Sequence, residues 1–134
     1  MTAIAATGEE IVKTMQAMGA AARAAAHQLG LATPAAKTHA LQVAAATLRA
    51  RAGEIIAANA KDLDFGREKG LSKAMMDRLA LDDARVEAMA AGVEAIAGLK
   101  DPIGDVLADW DRPNGLNIQR VRVPLGVIGI IYES

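Results

Sequence analysis

From residue 8 to residue 97 the apolar positions recur every third or fourth residue, the period of helices with one buried face. Ile11, Met15, Met18, Ala22 and Leu29 form the first stripe, behind Thr7 and Glu10 in the Thr-x-x-Glu order of a capping box. Gly30 predicts its stop. Thr33-Pro34 predicts a restart, a cap residue followed by proline at the first helical position. The stripe Leu41, Ala45, Leu48, Ile55 continues, with a break expected near Gly53. The run 57–70 reads as helix, with Asn59 or Asp62 capping a kinked junction and Gly70 as the stop. Ser72 opens a short helix through Leu79. Asp82 caps another, on which Val86, Met89, Val93 and Ile96 repeat at three, four and three. Met15, Met18, Met75, Met76 and Met89 lie on these stripes and read as core.

After Gly98 the pattern changes to proline, glycine and β-branched residues. Asp111 to Gly115, "DRPNG", predicts a turn between strands 106–110 and 116–123. Ile118, Arg120 and Arg122 share one face of the second strand, and Asn117, Gln119, Val121 and Val123 the other. Neither face is wholly apolar, so the hairpin is expected to be wet on both sides. Pro124 ends it. Leu125 to Tyr132 carries no charge and is rich in Val and Ile, the mark of a strand buried on both faces of a parallel sheet. Such a strand needs neighbours reached through crossover helices, and no second segment of that kind is present. The expectation is the front part of a larger α/β protein.

Composition narrows the function classes. A net charge of -1 and 2% aromatic residues argue against nucleic-acid binding, which needs a basic face and stacking rings. No apolar run approaches the roughly 18 residues of a membrane span, and the opening "MTAIAATGEE" lacks a basic targeting region, which fits a cytoplasmic protein. With zero cysteines there is neither a disulfide, a thiolate metal site nor a cysteine nucleophile. His27 and His39, on separate helices without paired carboxylates, read as surface residues, and no metal site is expected. The acidic runs near Asp62 and Asp82 read as caps and solvated faces. "GVIG" at 126–129 is not G-x-G-x-x-G and fits close backbone packing better than phosphate binding. Trp110 fits either a subunit contact or cover for its own hairpin. No complete catalytic site is legible.

Four stretches carry a resemblance: "IIAANAKDL" (55–63), "MMDRLAL" (75–81), "LKDPIGDV" (99–106) and above all "NGLNIQRVRVPLGVIGIIYES" (114–134). Together they resemble the N-terminal portion of the gamma-glutamyl phosphate reductase (glutamate-5-semialdehyde dehydrogenase) family, within the aldehyde dehydrogenase superfamily. The resemblance implies an α/β parent fold of Rossmann-like architecture. It implies helices of a cofactor-binding domain over 1–105, a hairpin of the oligomerisation domain over 106–123, and the first strand of the cofactor-binding sheet over 124–134. It also implies NADPH-dependent reduction of L-glutamyl 5-phosphate to glutamate 5-semialdehyde with release of phosphate, in proline biosynthesis. In that chemistry a cysteine thiolate displaces phosphate and hydride then reduces the thioester. A homo-oligomer and an association with glutamate 5-kinase are implied as well. Only Tyr132, Glu133 and Ser134 carry over as cofactor-side residues, and no catalytic residue does. The competing reading is a helical interaction module whose last strand adds to a partner's sheet.

Overall fold

Helical periodicity and local capping produce five helices and one antiparallel ribbon in residues 8–131, which the computed structural model describes. In chain order they are α1 (Gly8–Leu31), α2 (Pro34–Ala50), α3 (Ala52–Glu68), α4 (Lys73–Leu79), α5 (Asp83–Ala97), β1 (Val106–Asp111) and β2 (Asn117–Val121). They fall into two compact units. Residues 34–100 hold α2 to α5, and α1 groups with the ribbon.

In the four-helix unit the predicted caps form as hydrogen bonds. The Ser72 hydroxyl accepts from Met75 N–H at 3.3 Å and the Asp82 carboxylate from Arg85 N–H at 2.8 Å, each satisfying an otherwise orphaned amide. Pro34 is the first residue of α2, and Gly70, at φ 69, turns the chain after α3. The break expected near Gly53 falls at Arg51, which leaves helical geometry at φ -106, while Gly53 itself is tolerated inside α3. One expectation fails. No kink or cap occurs at Asn59 or Asp62. Asn59 is buried in the middle of α3, where its amide finds partners outside the helix.

Small residues form the centre of this unit. Ala45 of α2 and Val86 and Ala90 of α5 are its buried hydrophobic side chains. The face of α5 turned inward is therefore Val86, Ala90, Val93 and Ala97, at four, three and four. Met89 and Ile96, expected in the core, are exposed. A one-residue rotation of the stripe lets alanines bring the two helices close, at the expense of burying the larger chains. Met75 is exposed too, whereas half-buried Met76 packs at α3. A Cβ on Gly66 would stand 2.9 Å from its sulfur and 3.1 Å from Leu71 Cδ1.

In the other unit α1 ends at Leu31, one residue past Gly30, and buries none of its side chains, so Met15 and Met18 are surface residues rather than core. The Thr7 cap lies outside the described residues. The ribbon forms as expected, with Val106 opposite Val121, Trp110 opposite Ile118, Asp111 opposite Asn117, and a bulge between Val106 and Ala108. Gly115 closes the turn at φ 83, where its N–H bonds the Arg112 carbonyl, while Arg112 N–H bonds the Leu116 carbonyl at 2.8 Å. Arg122 prolongs the ladder, donating to the Asp105 carbonyl and accepting from Gly104 N–H. Beyond it, residues 123–131 form no strand: Leu125 and Ile130 are 89% and 78% exposed. A strand exists only through its ladder, and among the described residues nothing pairs with this segment.

Candidate functional site

The densest polar constellation joins α2 to α5. Arg49 donates from Nε and Nη2 to both Glu87 oxygens at 2.8 and 2.7 Å, and from Nη1 and Nη2 to both Glu94 oxygens at 2.5 and 2.8 Å. One planar guanidinium thus forks onto two carboxylates about two helical turns apart. Hydrogen bonds from Arg49 hold Glu87 and Glu94 below the ordinary carboxylate value, and those same bonds raise the guanidinium. With all three guanidinium nitrogens bonded to carboxylate oxygens, the group is a staple between helices, not an acid–base pair.

A second constellation fixes the link from α4 to α5. The Asn59 amide donates to the Leu79 carbonyl at 2.9 Å and accepts from Leu81 N–H at 2.8 Å. Arg85 reinforces the same corner, donating to the carbonyls of Asp77 and Ala80. On the ribbon, Asn117 and Gln119 donate to the two oxygens of Asp109, in that order the main reasons its carboxyl is depressed. Periodicity could not reveal these networks, because their partners lie 5 to 45 residues apart.

Sequence-derived candidates are not brought together. Tyr132, Glu133 and Ser134 lie outside the described residues. His27 and His39 are both exposed, and no group of three metal-binding side chains occurs among the described residues. The 126–129 glycines stand in open space, Gly126 at φ 87. Trp110 is half exposed beside Ile118, covering its own ribbon in part. A shallow groove along α1 is lined by Gln16, Arg23, His27, Gln28 and small residues of that helix alone. Among the described residues no helix is long and apolar enough to cross a membrane.

Fold and surface together define a class: a mostly helical segment with an antiparallel ribbon, rich in open apolar surface and without a metal-binding cluster among the described residues. Comparison with known proteins makes the class particular. The chain is 58% identical over 128 residues to the gamma-glutamyl phosphate reductase of Rhodospirillum rubrum and 56% identical to that of Paramagnetospirillum magneticum, each match covering 96% of the chain. It also superposes on the crystal structure of the Thermotoga maritima enzyme of that name, with TM-score 0.73 and 42% identity over 76% of the chain, and on the Saccharomyces cerevisiae one at 0.70 and 31%. This chain resembles the N-terminal portion of gamma-glutamyl phosphate reductase. It spans about 30% of the length of the curated relatives and 25% of the two structures. No protein-family profile matches it.

Proposed function

We propose that the chain is the N-terminal part of a gamma-glutamyl phosphate reductase, an oxidoreductase that converts L-glutamyl 5-phosphate to L-glutamate 5-semialdehyde, with release of phosphate, for proline biosynthesis in the cytoplasm. The observation that carries this reading is 58% identity sustained over 128 residues. NADPH would supply the hydride when bound. A thiolate from outside these residues would displace phosphate, since the chain has no cysteine. In this reading the described residues play an architectural part. Unit 34–100 would form a rigid helical platform, the ribbon a contact between subunits, and 124–134 the first strand of the cofactor-binding sheet. Tyr132, Glu133 and Ser134 would then stand at that strand's carboxyl end, where open α/β sheets bind ligands.

The test pairs two proteins. The purified 134-residue chain should show no NADPH-dependent turnover of glutamyl phosphate. A protein encoded by the gene read on beyond Ser134 should carry a cysteine and turn over. Turnover by the short chain, or its absence from the longer cysteine-bearing one, would sink the proposal.

A further inference from the structure

The apolar stripe of α1 has a stricter period than a helix packed against a globular core requires. Ile11, Met15, Met18, Ala22, Ala25 and Leu29 recur at four, three, four, three and four, the 3.5-residue repeat of a seam that meets another helix knobs-into-holes. The side chains of this seam are open: Ile11, Met15, Met18 and Leu29 are between 52% and 61% exposed. Its flanking positions are Val12, Gly19 and Ala26 on one side and Thr14, Ala21 and Gln28 on the other, none of them charged. The period therefore asks for a helix, and the flanks repel none.

The order of sizes along the seam says which helix. Reversed about the level of Ala20, the seam matches itself: Met15 falls beside Ala25, Met18 beside Ala22, and Ile11 beside Leu29 at each end. Each long thioether then enters the space above an alanine, and Gly19 meets Gly19 and Ala21 meets Ala21 near the axis, which lets two backbones approach closely. A parallel pair would stack Met on Met and Ala on Ala, leaving crowded and empty layers in turn. It would also bring Glu9 of both copies together and align the two helix dipoles. From this self-complementarity we infer that α1 binds α1 of a second copy of this chain, antiparallel, about a two-fold axis at Ala20. The inference does not rest on the reductase reading.

Natural absence of cysteine makes the geometry directly readable. In an Ile130→Lys background, which charges the other open apolar segment, the chain should sediment as a reversible dimer. Met18→Glu should weaken that dimer at least about tenfold with helical circular dichroism retained, whereas Ala20→Glu, on the opposite face, should leave it unchanged. When Met18→Cys and Ala22→Cys chains are mixed and oxidised, the mixed disulfide should exceed either homodisulfide. A monomer at every concentration, a dimer that survives Met18→Glu, or a majority of homodisulfides would each overturn the inference. The first of these points to α1 being covered by a helix from elsewhere in a longer chain.

Discussion

Asn59 shows how much a single buried amide decides. It is the buried polar side chain of the four-helix unit, and both of its functional atoms are used, one donating to Leu79 and one accepting from Leu81. Asn59→Asp keeps the shape but replaces the donor with an oxygen facing the Leu79 carbonyl. A loss of about 2 kcal/mol at neutral pH is expected, the order of one buried group left unsatisfied. The loss should shrink on acidification, when the protonated carboxyl can donate again, and urea titrations at two pH values read it. Gly66 and Gly53 make a second residue-scale pair. Both lie inside α3, where alanine normally gains about 1 kcal/mol over glycine. Beyond the backbone of its own helix turn, no atom lies within 4 Å of where a methyl on Gly53 would stand, so Gly53→Ala should raise the melting temperature. Gly66→Ala must push aside the Met76 sulfur at 2.9 Å and two leucine methyls, and should gain nothing or lose stability. The caps at Ser72 and Asp82 were legible in the sequence because their acceptors and donors are three residues apart. Asn59 was not, since its partners lie 20 and 22 residues away, and a mid-helix Asn reads locally as a cap.

Among elements, α2 and α5 depend on the Arg49 fork. Because Glu87 and Glu94 are held below the ordinary carboxylate value of 4.5, they bind fewer protons folded than unfolded. Their contribution is in place above pH 4.5 and is lost as pH falls through the folded values. Arg49→Met should therefore lower stability at neutral pH and flatten the acid limb of the stability profile. As all three groups are solvent-accessible, the difference should narrow in high salt. Equal losses at acidic and neutral pH would contradict this. Helix positions were legible because a period survives any tertiary arrangement. Which face turns inward was not: Met89 and Ile96 outrank Ala90 and Ala97 in hydrophobicity, yet close approach of α2 selects the alanines.

For the whole molecule, open apolar surface is the dominant fact. Val127, Ile128, Ile130 and Ile131 are all more than half exposed, on a segment with unpaired backbone. Burying each would contribute about 1.5–3 kcal/mol, so this segment should recruit a covering partner. Ile130→Lys should raise the solubility of the 134-residue chain, as measured by the concentration at which scattering appears. The same charge in a completed sheet should prevent folding. An unchanged solubility would mean that the segment is already protected. The β-character of 125–132 was plain in its residues, but strand formation needs a ladder that no run of apolar letters contains.

The Arg49 fork also reaches across the chain's own length, joining residues 38 and 45 positions apart, with α3 and α4 between them. The tightest packing in the four-helix unit therefore has to wait for a long loop to close, a cost in chain entropy met before the contacts reward it. α3 and α4 are neighbours in sequence and carry no such delay. Val86→Ala, expected to cost about 2 kcal/mol, should act in stopped-flow experiments mainly on the refolding rate if α2–α5 closure is the barrier. Gly66→Ala, whose α3–α4 contacts would form before that barrier, should also act on refolding rather than on unfolding. A Val86→Ala chain that refolds at the parental rate and only unfolds faster would place closure after the barrier. The staple would then serve as a late lock rather than the event that commits the chain to its fold.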